Sequence, residues 1–256
     1  MRPRAASDQS EVAVDNSERH GRVELAAALR YACRLGLHEG VCNHFSLALR
    51  EDGSEFLVNP QGLHWSELRA SDLVRVRGDG TIVSGAGPVE DSAFYIHGRM
   101  HAARPGARCI LHTHMPYATA LTSLERGRLE PVTQNALRFT GRIAYDDDYG
   151  GLALDASEGD RLAAALGDRQ ILFMANHGVA VVGGEVALAF DDLYYLERAC
   201  QVQVLAMSTG RPLRRVPDEE VARTGEQMER SGPEQAHLHF AAIKRILDRE
   251  EPDYAD

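Results

Sequence analysis

Two histidines one residue apart, His112 and His114 in the stretch RCILHTHMPYATA, close an apolar run and precede a proline. In a strand, residues i and i+2 project from one face about 6.5–7 Å apart, near enough for two imidazoles to converge on one ion. A hydrogen-bonded histidine of the core is the alternative role for either. A third, His177, stands in Asn176-His177-Gly178 at the end of a second apolar run. There the glycine permits a tight reversal that would point an imidazole into a cleft. Three neutral imidazoles on rigid strand ends leave coordination positions open, the arrangement of a catalytic rather than a structural divalent site. One divalent metal ion is the expected cofactor, zinc foremost, with iron, manganese or cobalt as alternatives.

The other histidines carry weaker signals. His97 and His101 are spaced i,i+4 on one helix face, a spacing that can bind metal, yet no Glu-x-x-His context accompanies them. A solvated or core role is expected for His101. His44, in CNHFS, reads as a polar pocket residue in a turn before a strand, and His20, His38, His64, His237 and His239 as surface or packing residues. No G-x-S-x-G elbow, phosphate loop or dinucleotide fingerprint occurs, so covalent hydrolase and nucleotide-dependent chemistries lack support.

These residues need elements to hold them. Ser17 can cap a helix running to about Leu35, with Gly36 ending it. From Gly40 to Ser84 short apolar runs are cut by turn residues, including a Gly-Asp-Gly hairpin signal, which predicts antiparallel strands. Glu90 to Ala103 reads as a helix stopped at Arg104-Pro105, followed by the strand ARCILHTH and a short helix after Met115. GRIAYDDDYGG reads as loop, and Ser157 with Asp160 as a capping box for the helix SEGDRLAAALG. RQILFMANHGVAVVGG supplies two strands around His177, and a long helix follows Gly184 to about Ser208. The tail from Pro217 reads as two helices separated by Ser-Gly-Pro at 231 to 233. The sum is an α/β fold, one mixed sheet with helices on both faces.

Composition narrows the function classes. The chain has 256 residues, 44% hydrophobic, enough for one packed core without staples. Its formal net charge of -10, with arginines scattered rather than gathered in a patch, argues against a nucleic-acid partner. Cys33, Cys42, Cys109 and Cys200 form no C-x-x-C pair, so reduced, mostly buried thiols are expected. No stretch approaches the ~18 consecutive apolar residues of a membrane span, and a cytoplasmic location with no membrane partner is expected. Residues 1–17 read as a flexible tail, 18–216 as the main domain and 217–256 as a helical extension packed on it.

In order, the motifs G-V-C-N-H-F-S, N-P-Q-G, A-F-Y-I-H-G-R-M-H-A-A-R-P, H-T-H and N-H-G-V, spread from about Val23 to Pro212, resemble those of the class II aldolase/adducin family. The resemblance implies an αβα sandwich around a largely antiparallel sheet and a divalent metal held by His112, His114 and His177. It also implies a homo-oligomer, usually a tetramer, with active sites near subunit interfaces. In the family's sugar-phosphate aldolases a Ser-Ser-Glu opens the helix and supplies the catalytic carboxylate. Counting back from His97, the matching residues here are Asp91, Ser92 and Ala93, so that carboxylate is absent. The phosphate pocket of those enzymes corresponds to Asn43-His44, Gln61-Gly62 and Asp91-Ser92, which are the candidate substrate-binding residues. An aspartate among phosphate oxygens would be repelled by about 1–4 kcal/mol at 4 Å, which argues against a sugar phosphate. Glu90 and Asp91 can simply start the helix, where acids are favourable.

The expectation is a metal-dependent carbon–carbon lyase, a decarboxylase or aldolase, acting on a small unphosphorylated keto or hydroxyaromatic acid. Decarboxylation releases electrons that a Lewis acid can stabilise, so no base is needed to begin. A proton donor is needed at the end, with His44 placed first and Tyr149 or a metal-bound water as alternatives. Two other readings stand beside it: a non-haem Fe(II) oxygenase on the same fold, and a non-catalytic binding module like the adducins.

Overall fold

A computed structural model describes the backbone from Ser7 to Asp256 and side chains from Asn16 onward. In chain order its elements are α1 (Ser7–Arg34), β1 (His44–Ala48), β2 (Glu55–Val58), β3 (Val74–Arg77), β4 (Ile82–Ser84), α2 (Asp91–Ala103), β5 (Cys109–Thr113), α3 (Pro116–Thr122), α4 (Gln134–Leu137), β6 (Ile143–Asp146), α5 (Ala156–Leu166), β7 (Ile171–Met174), β8 (Gly178–Gly183), α6 (Val186–Met207) and α7 (Asp218–Glu250). The strands form one sheet in the order β4-β3-β2-β1-β5-β8-β7-β6. Every neighbouring pair is antiparallel except β6 and β7.

Helices cover both faces, as expected. Residues of α1, α3, α6 and α7 pack with Phe45, Leu111, Phe173 and Val181 on one side. On the other, Ile96 and Met100 of α2 and Leu162 and Leu166 of α5 pack on Ile110, Leu172 and Val182. The alternation along β5 follows, with Cys109 and Leu111 facing one layer and Ile110 the other. Because both layers are filled, all five residues of β5 are buried. This central strand is the rigid base from which the first two metal-candidate histidines project.

Several local expectations change. Helix α1 begins at Ser7, not at a Ser17 cap, so residues 7–17 of the expected tail are helical, while 1–6 lie outside the described residues. With no proline in this stretch, a helix nucleated by its buried half can propagate backwards. GRIAYDDDYGG contains strand β6, paired in parallel with β7, because Ile143 and Tyr145 find the core cluster. Helix α5 is capped by Asp155, whose side chain accepts from the amides of Ser157 and Glu158, rather than by Ser157.

The C-terminal region is one helix with Pro233 inside it, not two. Proline removes one amide and crowds the preceding turn, but Ala236, Phe240, Ile243 and Leu247 are buried beyond it. Each large apolar side chain among them contributes roughly 1.5–3 kcal/mol by burial, which offsets the break. The segment after α7 is fastened to α1. Buried Arg30 donates to Glu251 at 3.1 Å and Asp253 at 2.8 Å, and Tyr254 is buried beside them. No helix is long and apolar enough to cross a membrane, among the described residues.

Candidate metal centre

Three neighbouring strands deliver the three histidines. His112 is the fourth residue of β5, opposite His44 of β1 on one side and Ala180 of β8 on the other. Its Nδ1 donates to the Val179 carbonyl at 3.0 Å, which leaves Nε2 carrying the free lone pair. His114 lies one residue past the end of β5. Its amide donates to Asn43 Oδ1 at 3.3 Å, and its Nδ1 lies 2.5 Å from the Glu39 carboxylate. His177 lies in the turn joining β7 to β8, closed by its amide on the Met174 carbonyl at 3.2 Å, with Asn176 at φ 55°. Gly178 follows because nothing larger fits: a Cβ there would meet the Thr113 carbonyl oxygen at 2.6 Å and His114 Cδ2 at 2.9 Å.

One nitrogen from each histidine lies within 4.8 Å of the others. Ring centroids are 5.1 Å apart for His112 and His114, 4.8 Å for His112 and His177, and 4.9 Å for His114 and His177. His114 Nε2 is buried without a hydrogen-bond partner among the described residues. Burial pushes His112 well below its ordinary value, with His177 adding to the effect, and pushes His177 down to about 4, helped by His114. Three convergent imidazoles, one with an orphaned nitrogen and two with the other nitrogen oriented by an acceptor, fit a divalent cation. They are the residues that could hold it.

A second layer of polar groups flanks this cluster. The His44 ring stacks on His112, 5.4 Å between centroids, and its Nε2 lies 3.1 Å from Glu90 Oε2. Ser92 Oγ donates to the other oxygen of Glu90 at 2.9 Å. The His44 contact is the main reason the Glu90 carboxyl lies below its usual range, so the group is an anion near neutral pH. Behind β1, a chain of hydrogen bonds fixes two tautomers. His101 Nδ1 donates to the Ala107 carbonyl at 2.7 Å, so its Nε2 accepts from Ser46 Oγ at 2.8 Å. Ser46 in turn accepts from His97 Nδ1 at 2.5 Å, leaving His97 Nε2 a buried lone pair with no partner among the described residues. Both histidines are fully buried, so the solvated role for His101 is excluded.

The model of the Class II Aldolase and Adducin N-terminal domain matches residues 23–204. The chain belongs to the class II aldolase/adducin family. An aldolase II superfamily protein from Pseudomonas syringae is 38% identical, with a TM-score of 0.87 over 93% of this chain and 96% of that one. Decarboxylase NovR of Streptomyces niveus is 34% identical over 205 residues, 79% of this chain and 75% of that protein. The 4-hydroxy-3-prenylphenylpyruvate oxygenase/4-hydroxy-3-prenylbenzoate synthase of Streptomyces roseochromogenus subsp. oscitans is 34% identical, over 79% of this chain and 73% of its own length.

Within this class II aldolase/adducin member, Ala93 is fully buried against Phe56, Val58, Val74 and Val76, where no carboxylate could be solvated. Glu90, the N-cap residue of α2, instead brings a carboxylate to His44 from one turn earlier. Sequence reasoning treated it as a helix-start acid and did not find it; its place three residues before Ala93 was the available signal. Glu39 was missed for the same reason, being an exposed acid in a turn. The remaining candidates spread outward. Asn43 is buried at φ 76°, its amide nitrogen unpartnered among the described residues. Gln61, Gly62 and Asp91 are exposed, and Ser92 is half-buried. Tyr149 is 55% exposed on the loop after β6 and is not joined to the His44 pair.

Proposed function

We propose that the chain is a metal-dependent carbon–carbon lyase that decarboxylates a small, unphosphorylated keto or hydroxyaromatic acid. The observation that carries this reading is the pairing of three convergent imidazoles with a Glu90–His44 couple in place of a carboxylate at position 93. A divalent cation held by His112, His114 and His177, zinc in the first instance, would polarise a carbonyl as a Lewis acid. His44 is assigned as the proton donor: its Nε2 is held by the Glu90 carboxylate, and its Nδ1 is buried without a hydrogen-bond partner among the described residues, so a proton placed there has only substrate to go to. Glu90 acts through His44 as a positioning residue, holding the ring by its Nε2. Asn43 offers its unpartnered amide to a carbonyl or carboxylate oxygen. Exposed Asp91, beside Glu90 at the start of α2, disfavours phosphate.

The similarity to NovR supports the decarboxylase form. The exposed Tyr149, Leu152 and Leu154, between β6 and α5, offer apolar surface for a homo-oligomeric contact that would bring Tyr149 to a neighbouring subunit. A second reading, oxygenation with Fe(II) in the same three histidines, draws support from the Streptomyces roseochromogenus relative. A purely structural, adducin-like role is disfavoured by the intact set of three histidines.

The deciding assay follows carbon dioxide release and oxygen uptake over a panel of keto and hydroxyaromatic acids, with sugar phosphates as comparators. Carbon dioxide without oxygen uptake is the expected result. Stoichiometric oxygen uptake selects the oxygenase, and cleavage of a sugar phosphate alone sinks the proposed substrate class.

A further inference from the structure

A second group of ligand-type side chains is separate from the three histidines and includes the residue just before Glu39. Cys33 sits in the last turn of α1, which Gly36 closes at φ 68°, His38 follows in the turn toward β1, and His64 lies in the loop between β2 and β3. No sequence spacing announced them, because 25 residues separate the two histidines. In space one ligand atom from each lies within 4.8 Å of the others. Cys33 Sγ is 3.6 Å from His38 Nε2, and His38 Nε2 is 2.9 Å from His64 Nε2.

Those separations are close to what a tetrahedral zinc imposes. With Zn–S of about 2.3 Å and Zn–N of about 2.0–2.1 Å, a sulfur and a nitrogen ligand lie roughly 3.6 Å apart and two nitrogens roughly 3.3 Å apart. The sulfur–nitrogen distance already matches, and the nitrogens need to part by a few tenths of an ångström. The surroundings hold the rings for this. His38 stacks on the buried Trp65, 5.9 Å between centroids at 29°. Ser66 Oγ lies 2.7 Å from His64 Nδ1, while the Ser66 amide reaches the same atom at 3.3 Å. With the amide donating, the His64 proton sits on Nε2 and bonds His38. Turning the hydroxyl to accept moves that proton to Nδ1 and frees Nε2 as a ligand. Burial also keeps His38 below its ordinary value, neutral and able to coordinate.

We propose that Cys33, His38 and His64 form a second metal site, for a zinc-class divalent ion, with solvent completing its coordination. The thiolate and two imidazoles form a soft, mixed donor set that differs in kind from the all-imidazole cluster. On binding, the Cys33 thiol releases its proton, the His64 proton stays on the ring at Nδ1, and three donor bonds form with no change of oxidation state. The ion fastens the α1–β1 turn at His38, and the next residue, Glu39, is the one that orients His114.

Cobalt(II) is the probe, because a thiolate ligand gives a charge-transfer band in the near ultraviolet that three imidazoles cannot. Wild-type protein, stripped of metal and titrated with cobalt, is expected to take up two ions per chain and to show that band. Cys33→Ser is expected to abolish the band and retain one ion, and His64→Ala to weaken it. Cys42→Ser, which alters the exposed thiol, is expected to leave it intact. A double variant, His112→Ala with His114→Ala, is expected to keep the band while losing the other ion, so the two centres are read separately. No thiolate band in wild type, or a band that survives Cys33→Ser, overturns the proposal.

Discussion

His44 and His112 stand opposite each other in the register of β1 and β5, their rings stacked 5.4 Å apart at 27°. A metal-candidate ring and the ring proposed as proton donor are thus carried by the same ladder of backbone hydrogen bonds. Neither backbone can move without unpairing the centre of the sheet, so the fold sets the spacing of their Cα atoms, from which the two rings reach each other.

Removing a candidate ligand tests the cluster directly. His177→Ala and His112→Ala are expected to lose the metal of this centre, measured by elemental analysis of protein purified without chelator. Glu39→Gln keeps the ligands but weakens the acceptor on His114 Nδ1, so metal affinity falls about 10–100-fold. Full occupancy in both alanine variants would falsify the site.

Glu90→Gln keeps a side chain of the same shape beside His44 and removes the charge. Turnover of the substrate found in the panel is expected to drop about 10²-fold or more with KM little changed, since proton delivery rather than binding is impaired. Glu90→Asp should recover part of the loss. Unaltered turnover in Glu90→Gln returns the proton-donor role to other groups.

Gly178→Ala inserts a methyl group where the Thr113 carbonyl oxygen lies at 2.6 Å. The turn and the end of β5 must part, at a cost of about 1–3 kcal/mol, and His114 and His177 separate with them. Metal affinity should fall more than thermal stability does. The opposite ranking would mean that the turn yields elsewhere.

Acid should destabilise the chain through His101, which burial pushes down to about 4. Between that value and its unfolded one near 6.5, the unfolded state binds the extra proton, so stability falls as pH drops through this window and levels off below it. From pH 7 to pH 5 the loss from this group is about 2 kcal/mol. Urea midpoints at the two pH values measure it, and His101→Gln should flatten the dependence.

How much was legible in the sequence follows from range. Strand β5, the turn around His177 and the closing Gly36 were readable because each depends on neighbours within a few residues. The resemblance carried the largely antiparallel sheet with helices on both faces. What escaped was set at a distance. Strand β6 exists because β7 offers it a parallel edge, and α7 passes through Pro233 because Phe240 and Leu247 have a core to enter. Glu90 reads as an ordinary helix-start acid until β1 places His44 against it. His38 and His64 read as surface or packing residues until the loop before β3 brings one onto the other.

Arg30 adds a constraint on timing. Its carboxylate partners, Glu251 and Asp253, lie 221 and 223 residues further along the chain. Synthesis runs from the N-terminus, so the first helix leaves the ribosome long before those partners exist. Until then, among the described residues, the guanidinium has the Leu68 and Ser66 carbonyls as acceptors but no carboxylate to balance its charge. The ion pairs that fasten this part of the helix therefore wait until residues 251 to 253 have been made, and a nascent chain halted short of residue 251 holds Arg30 by those two carbonyls alone.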